Sequence, residues 1–401
     1  MFRDGAGFWP KILVVSGFVL GCGSNATQDL CGAGIDTGGM FAAGAPNQFL
    51  GAGAGHTCVV ATTGQVYCWG SNKDGELGNG TMTDAPKPGR VLNVEKAIAV
   101  SAGSYHACAL IVDGTVRCWG WNVAGQIGEG TTDNRLTGVA VRDLSGAIGL
   151  ATGSSHSCAV LGDGRARCWG GNDFGQLGDG SRTNRLDPVD VFSLPPSVQI
   201  AASGDHTCAL TAAGEVQCWG RNENGELGDG TTDPDSAHPH TFPAPVLNLS
   251  GAVAVAAGFH HTCAVVSDGS VACWGANGYG QLGVGDMIDR STPTAVGGVA
   301  AVRAVACGYQ HTCAVGTDGA SVCWGANAAG QLGDGSFMDR PVAAPISGLA
   351  PVSGVAGGGY HTCARTAAGA IHCWGVNDAG ELGRPAGPSE SLPVPVSPFG
   401  C

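Results

Sequence analysis

Residues 311–335 read HTCAVGTDGASVCWGANAAGQLGDG, and close copies of this stretch occur seven times along the chain. Each copy holds two cysteines with nine residues between them, and successive pairs follow at steps of 50, 50, 50, 55, 50 and 50 residues. A fixed period of this length predicts one solenoid or propeller rather than several unrelated domains. The pairs are Cys58 and Cys68, Cys108 and Cys118, Cys158 and Cys168, Cys208 and Cys218, Cys263 and Cys273, Cys313 and Cys323, and Cys363 and Cys373.

Every copy contains a predicted β-hairpin. In the second copy a strand at 106–110 meets a turn that ends in Gly114, and another strand follows at 115–120. The two cysteines are symmetric about one residue, so the turn has an odd length, and three residues ending in a left-handed glycine fit best. This register makes the cysteines a non-hydrogen-bonded pair with Cα atoms about 4.5 Å apart, within disulfide reach. We therefore expect seven disulfides inside single hairpins. Zinc, the alternative, usually binds cysteines only two to four residues apart.

A tryptophan follows the second cysteine in every copy, from Trp69 to Trp374. A large ring at a fixed position beside a disulfide favours packing between repeats over a ligand cage. The asparagine two residues past each Trp-Gly pair, from Asn72 to Asn377, is expected to hydrogen-bond within its own turn.

Composition excludes several classes of protein. The chain has 401 residues, of which 70 are glycine, 43% are apolar and 13% are charged. Disordered chains have high charge and few apolar residues, and collagen needs glycine at every third position. With 32 acidic and 19 basic residues the net charge is −13, which argues against nucleic-acid binding.

The N-terminus has the pattern of an export signal. Arg3 and Lys11 precede the apolar run 12–20, which is too short to span a bilayer and suits the central region of a signal peptide. Val19-Leu20-Gly21-Cys22 resembles a bacterial lipobox, in which the cysteine is lipidated. An ordinary signal peptide with secretion, or a buried strand, are the alternatives. Eighteen cysteines also favour an oxidising compartment.

These observations give a three-part organisation. We expect a signal peptide at 1–21, a lipidated N-terminus with a Gly/Ala-rich tether at 22–48, and the repeats at 49–401. The lipid would anchor the protein to the cell envelope, at the outer membrane or cell surface.

The pattern His-Thr-Cys-Ala-Leu, Asp-Gly, Cys-Trp-Gly-x-Asn, Gly-Gln-Leu-Gly resembles the regulator of chromosome condensation repeat family over residues 49–401. The resemblance implies an all-β fold, a seven-bladed β-propeller of repeats of about 50 residues. The paired cysteines resemble the exported bacterial branch, which is similar in fold to a secreted β-lactamase inhibitor protein. The founding eukaryotic member is a nucleotide exchange factor for a small GTPase at chromatin, and export and acidity argue against that role here.

The two ends of the repeat region predict how the ring closes. Residues 392–396 (LPVPV) match 292–296 (TPTAV), which precede the first long strand of a further copy. The first copy starts at Phe49 without such a segment, so the C-terminal strand is expected to complete the first blade and remove exposed edges. Cys31 and Cys401 flank this closure and would then pair, leaving Cys307 free, although spacing alone does not fix connectivity.

The repeated polar residues do not form a recognisable catalytic pattern. Seven histidines open the long strands, and a structural role is favoured because no second ligand lies beside them in sequence. Residues 72–75 match part of a calcium loop, but the same position in the next copy lacks a carboxylate. Asp289/Arg290 and Asp339/Arg340 are interpreted as local salt bridges. We expect no enzymatic activity, catalytic residue, cofactor or metal.

The candidate site is one end of the propeller. The Gly-x-x-His and Gly-x-Asn loops must share an end, because the strand that begins at His runs toward the glycine turn and the strand that ends in Trp-Gly runs back. Large aromatic residues at the variable positions of these loops suit a recognition surface, whereas the alternative is that they cap the blades or plug the channel. The predicted contact residues are Tyr105, Trp121, Phe174, Phe259, Tyr279, Tyr309 and Tyr360.

Two function classes remain. The first is a monomeric binding scaffold that holds a protein or carbohydrate at this end. The second is an inhibitor or regulator of an extracellular enzyme, by analogy of fold alone.

Overall fold

The computed structural model describes residues 49–235 and 240–396, and within these ranges it contains strands and no helix. The strands form seven antiparallel sheets of four strands each, and every sheet is built from one continuous stretch of chain. The sheets are the blades of a seven-bladed β-propeller. The predicted fold class and repeat number are therefore confirmed.

The first strand of each blade lines the axis, where it contacts the first strands of both neighbours. These inner strands are β1 (Leu50–Ala52), β5 (Ala97–Ala102), β9 (Ala147–Thr152), β13 (Ser197–Ser203), β17 (Ala252–Ala257), β21 (Val302–Cys307) and β25 (Val352–Gly357). The second strands are β2 (His56–Val60), β6 (His106–Ile111), β10 (His156–Leu161), β14 (His206–Thr211), β18 (His261–Val266), β22 (His311–Gly316) and β26 (His361–Thr366).

The third and fourth strands complete each blade toward its outer edge. The third strands are β3 (Val66–Gly70), β7 (Val116–Gly120), β11 (Ala166–Gly170), β15 (Val216–Gly220), β19 (Val271–Gly275), β23 (Ser321–Gly325) and β27 (Ile371–Gly375). The fourth strands are β4 (Ala85–Arg90), β8 (Arg135–Ala140), β12 (Arg185–Asp190), β16 (His240–Pro245), β20 (Arg290–Ala295), β24 (Arg340–Pro345) and β28 (Glu390–Pro395).

The hairpin between the second and third strands has the predicted geometry. In blade one Ala61 N donates to Gln65 O at 2.8 Å, which leaves three turn residues that end in Gly64 with φ +76°. A residue with a side chain adopts this φ at a cost, so glycine is favoured. Cys58 lies directly opposite Cys68 with Cα atoms 4.1 Å apart and is bonded to it.

The other six predicted cysteine pairs have the same geometry. Each joins facing residues of the second and third strands of one blade, with Cα atoms 4.1 Å apart. All seven predicted disulfides are therefore confirmed. The six further bonds are Cys108 to Cys118, Cys158 to Cys168, Cys208 to Cys218, Cys263 to Cys273, Cys313 to Cys323, and Cys363 to Cys373.

The hydrophobic core lies between blades rather than within them. Each tryptophan of the repeat is fully buried against the preceding blade. The Trp119 Nε1–H donates to Glu76 O at 2.8 Å, and the ring lies so close to Gly78 that a Cβ there would be 2.9 Å from Trp119 Cδ1. Burial of an aromatic ring with its N–H satisfied makes each tryptophan a large contributor to stability. The predicted packing role is confirmed.

The histidines that begin the second strands form a further contact between neighbouring blades. His106 Nε2 lies 2.9 Å from Ser157 Oγ of the next blade, and that hydroxyl donates to Gln126 O at 2.9 Å. Since the hydroxyl proton is already used, the imidazole must donate through Nε2–H. Trp169 Nε1 donates to the same carbonyl oxygen at 2.9 Å. One backbone carbonyl thus accepts two hydrogen bonds from the following blade.

Closure of the ring differs from the prediction. The C-terminal strand β28 pairs with β27, with Cys373 opposite Val394, so it completes the seventh blade and not the first. The expectation of a shared first blade is wrong because the inner strand β1 already fills that position and β4 supplies the outer edge. The ring closes through side chains and loops instead: Trp69 Nε1 donates to Glu381 O at 2.8 Å, and Gly359 N donates to Gly53 O at 2.9 Å.

Several predictions fall outside the described residues. These are the signal at 1–21, lipidation of Cys22, the tether at 22–48 and the Cys31–Cys401 pair. Cys307 is within the described part and carries a free thiol. In residues 49–235 and 240–396 no helix is long and apolar enough to cross a membrane.

Candidate functional site

The antiparallel blades give the propeller two different ends. The connections between the first and second strands and between the third and fourth strands lie at one end, here called the loop end. The hairpin turns between the second and third strands and the connections between blades lie at the other, the turn end. The Gly-x-x-His and Gly-x-Asn loops therefore share the loop end, as the strand directions require.

A buried asparagine holds each long connection of the loop end in place. In blade five Asn277 Oδ1 accepts a hydrogen bond from Leu282 N at 3.0 Å, and its Nδ2 donates to Asp286 O and Ile288 O at 2.9 and 3.2 Å. The Asn277 backbone N donates to Asp289 Oδ1 at 2.7 Å. These bonds fix the loop from within, so side chains at its tip project from an ordered support.

The seven predicted contact residues lie in loop-end connections but differ in exposure. Tyr105, Tyr279 and Tyr360 are 47%, 43% and 46% exposed. The other four are partly buried: Trp121, Phe174, Phe259 and Tyr309. Tyr105 and Trp121 form an edge-to-face pair with ring centroids 5.8 Å apart.

Tyr309 reaches across the central channel. Its hydroxyl lies 2.8 Å from Ser104 Oγ, which belongs to blade two, whereas Tyr309 belongs to blade six. Burial raises the pKa of Tyr309 to about 12. Below it the channel contains a cavity of about 210 Å³ that is lined by residues of the inner strands, including Ser101, Thr152 and Cys307. Tyr309 is thus a channel plug, the alternative role that sequence reasoning allowed for these rings.

The plug is continuous with two other predicted residues. The Phe259 ring lies 4.5 Å from the Tyr309 ring, and Tyr360 lies 6.0 Å from Tyr309 on its other side. The structure therefore brings Phe259, Tyr309 and Tyr360 into one cluster. Tyr105 with Trp121, Phe174 and Tyr279 lie outside this cluster.

A charged group adjoins the aromatic residues in blades three to five. The Arg221 guanidinium lies 5.0 Å from the centre of the Phe174 ring and 3.4 Å from an Asp205 carboxylate oxygen. Burial raises the pKa of Asp205 above its usual range despite that partner. Burial would also raise the pKa of Glu226, but the nearby His260 and His206 together with backbone hydrogen bonds outweigh burial and lower that pKa. Arg221 is thus paired with acidic side chains of its own blade.

The Asp–Arg pairs of the sequence have a different arrangement from the one expected. Arg290 pairs with Asp286 at 2.6 Å rather than with Asp289, and Arg340 pairs with Asp334 at 2.9 Å rather than with Asp339. The adjacent aspartates accept backbone hydrogen bonds from the buried asparagines instead.

Sequence reasoning missed four exposed apolar residues at the loop end. Met287 and Ile288 of blade five are 51% and 65% exposed, and Phe337 and Met338 of blade six are 53% and 70% exposed. We call these four residues the apolar ridge. Alignment of the seven copies would have found them, because the same loop in blades two to four carries Thr, Arg and Asp.

One group of three possible metal ligands occurs within the described part of the chain. It contains His261, Cys263 and Cys307, whose ligand atoms lie within 4.8 Å of one another. Cys263 is bonded to Cys273, so its sulfur is not a thiolate. Burial also raises the pKa of Cys307 to about 12, which keeps that thiol protonated.

Comparison with family models decides the relationship of the chain. The model for the regulator of chromosome condensation (RCC1) repeat matches residues 63–110, 163–210, 213–265, 268–315 and 318–365. A second model for the same repeat matches seven segments between residues 49 and 381. The chain belongs to the RCC1 repeat family. RCC1-repeat propellers typically act as binding or regulatory scaffolds.

Solved structures show the same fold. Prp20p from Saccharomyces cerevisiae, whose structure was described with its binding to Gsp1p and histones, is 21% identical with a TM-score of 0.73, over 84% of this chain and 87% of Prp20p. Human WBSCR16 is 24% identical with a TM-score of 0.71, over 79% of this chain and 85% of that one. The ectodomain of the Arabidopsis thaliana receptor kinase ACR4 is 20% identical with a TM-score of 0.51, over 86% and 98%. All three proteins are less than 25% identical to this RCC1-repeat propeller, so the similarity concerns the fold alone.

Proposed function

We infer that this RCC1-repeat protein is an exported, lipid-anchored scaffold that binds a protein partner at its loop end. The observation that carries the proposal is that Tyr105, Tyr279 and Tyr360 remain nearly half exposed at the loop end, with Tyr279 on a loop held by the buried Asn277. Tyrosine loses little conformational entropy on binding and is enriched among residues that dominate interface energies. Tyr309 and Phe259 form the packed floor behind these contacts.

The anchor and the binding face are compatible in geometry. β1 runs from the turn end toward the Gly-x-x-His loop, so the chain before Phe49 joins the propeller at the turn end. A lipid on Cys22 of a bacterial protein, at the outer membrane or cell surface, would therefore leave the loop end facing away from the bilayer. The seven disulfides suit the oxidising compartment that this placement requires.

The anchor is tested by Cys22→Ser. We expect this variant to leave the membrane fraction and appear in the soluble or secreted fraction, because acyl chains supply the membrane affinity. A variant that fractionates with membranes as before would contradict the anchor without bearing on the binding face.

The binding face is tested by capture from the surface and medium of the source cell. Alanine at Tyr105, Tyr279 or Tyr360 should weaken capture of the partner while the melting temperature stays nearly unchanged, since these side chains are exposed. Val112→Ala, in the hairpin turn of blade two at the turn end, is the matched control and should bind as before. Loss of stability with capture intact would show that the tyrosines are packing residues.

The same experiment separates the remaining partner classes. A captured enzyme that loses activity on binding would make the protein an inhibitor. A carbohydrate ligand would show itself on a glycan array, with the same three tyrosines required. We expect a monomer with a single protein partner.

A further inference from the structure

The net charge of the propeller lies entirely at one end. From residue 49 to residue 396 the chain has 29 acidic and 17 basic residues. The loop-end connections, with the first residue of each fourth strand, hold 20 acidic and 8 basic residues, whereas the rest of the propeller holds 9 of each. The loop end is thus strongly negative and the remainder is neutral. Such a field attracts a positively charged partner and speeds its encounter.

The apolar ridge is a preformed surface within this field. Gly285 N of blade five donates to Pro341 O of blade six at 2.9 Å, which fixes the blade-five loop against the fourth strand of blade six. In blade six Asn327 Nδ2 donates to Ser336 O and Met338 O, both at 3.1 Å. The backbone beneath the ridge is therefore hydrogen-bonded, and ordering it on binding costs little entropy.

The other blades show that the loop forms without apolar residues at its tip. All seven blades have this loop, and the asparagine that supports it is buried in each. Blade one carries a single exposed methionine, Met82, and blades two to four carry polar residues at the tips. Because the loop forms without apolar tips, the fold does not require Met287, Ile288, Phe337 and Met338. Adjacent exposed apolar residues that the fold does not need indicate an interaction surface.

We propose that the loop end over blades five and six docks a cationic protein partner, which places apolar side chains on the ridge among its lysines and arginines. The proposal rests on the proposed function and names the position and chemistry of the contact. Tyr279 lies in the same blade-five loop as Met287 and Ile288 and is itself exposed. The next residue, Gly280, packs against blade six so closely that an added Cβ would lie 2.5 Å from Pro341 Cα.

Site-specific photocrosslinking in the source cell tests the proposal. Three full-length variants are compared: Phe337→p-benzoylphenylalanine on the ridge, Tyr360→p-benzoylphenylalanine beside the channel plug, and Val112→p-benzoylphenylalanine at the turn end. We expect the first two to crosslink the same protein and the third not to. Mass spectrometry should place the Phe337 crosslink at an apolar residue flanked by Lys or Arg.

The captured partner then allows a quantitative test. The double variant Phe337→Ser/Met338→Ser should bind it about tenfold or more weakly, whereas Met82→Ser, the same loop in blade one, should bind as the wild type does. Affinity should fall when salt is raised from about 50 mM to about 500 mM, because screening weakens attraction between surface charges.

Each other outcome has a distinct meaning. Crosslinking from Tyr360 but not from Phe337 overturns the ridge and leaves the proposed function standing. A partner that lacks basic residues at the crosslink, or an affinity insensitive to salt, overturns the cationic partner. Crosslinking from Val112 alone, or from none of the three, overturns both the ridge and the loop-end scaffold.

Discussion

His361 Nε2 lies 2.8 Å from Thr57 Oγ1, although 304 residues separate them in the chain. His361 belongs to blade seven and Thr57 to blade one, so this hydrogen bond crosses the point at which the ring closes. The same contact recurs between other blades, as in His156 with Thr207 at 2.9 Å. Closure of the propeller therefore uses the general blade-to-blade contact.

Removal of the hydroxyl at the closure should destabilise the propeller. Thr57→Val keeps the shape of the side chain but leaves His361 Nε2 buried without its hydrogen-bond partner, which costs about 1–3 kcal/mol. Urea unfolding with the disulfides intact measures the loss. Thr207→Val, at the equivalent contact with His156, should cost a similar amount, and an unchanged midpoint for Thr57→Val would show that the contact does not stabilise closure.

A hydroxyl added at the junction of blades one and two, which lacks one, should stabilise the propeller. The residue of blade two that faces His56 is Ala107, and His56 Nε2 is buried without a hydrogen-bond partner. Ala107→Ser reproduces the arrangement of Ser157 with His106 and should stabilise the protein by about 0.5–1.5 kcal/mol. Thermal melting measures this gain. Ser157→Ala, which removes the hydroxyl that faces His106, should have a lower melting temperature than the wild type. A lower melting temperature for Ala107→Ser would mean that the site cannot accommodate the hydroxyl.

Acid should unfold the propeller over a defined pH range. Burial lowers the pKa of the seven histidines from 6.5 to about 3 or about 4. Between these values the unfolded chain binds more protons than the folded one, so stability is complete above pH 6.5 and falls as the pH decreases toward 3. Urea unfolding at pH 7, 6 and 5 measures the slope.

A single-histidine variant shows whether these residues cause the slope. His106→Gln removes one of the seven groups and should reduce the slope by up to about 1.4 kcal/mol per pH unit. The same slope for the variant and the wild type would assign the acid sensitivity to the carboxylates.

The hairpin disulfides should stabilise each blade, and Cys307 should not exchange with them. Cys108→Ser/Cys118→Ser opens one ten-residue link and should cost about 2–3 kcal/mol. In the native protein Cys307 should resist alkylation, because burial raises its pKa to about 12. Non-reducing peptide mapping should recover seven links within single hairpins. Links between blades, or rapid alkylation of native Cys307, would contradict the structure.

The hairpin could be predicted because its determinants are local. The odd spacing of Cys108 and Cys118 and the glycine at position 114 define the turn and the facing pair without any knowledge of the rest of the fold. The tryptophan contact was accessible for a similar reason, since a ring repeated beside each disulfide has only the neighbouring blade to pack against.

Closure could not be predicted from the same information. Residues 392–396 resemble 292–296, and both are outer-strand segments. The similarity identifies their type but does not state whether they pair with the preceding or the following hairpin. That choice depends on β1, which is only three residues long.

The sequence predicts that the seven aromatic residues lie at the loop end, where the structure has them, but it does not predict how each ring packs. Tyr105 and Tyr360 lie directly before the histidine of their repeats and remain exposed, whereas Tyr309 lies two residues before His311 and bonds across the channel to Ser104. Phe259 shares the repeat position of Tyr309 and packs against it, but the sequence does not show that this position faces the channel. The apolar ridge was missed because only positions beside the Gly-x-x-His and Gly-x-Asn motifs were weighed, and the four ridge residues lie further along the long loops.

Closure by side chains and loops means that no blade is shared between the two termini. Each blade is a continuous segment, and the junction between blades seven and one has the same type of His–Thr hydrogen bond as the junction between blades three and four. A circular permutant that joins residue 396 to residue 49 and opens the chain between two other blades would keep every sheet intact. The blade at which the chain begins can thus change while the order of the blades around the ring stays the same.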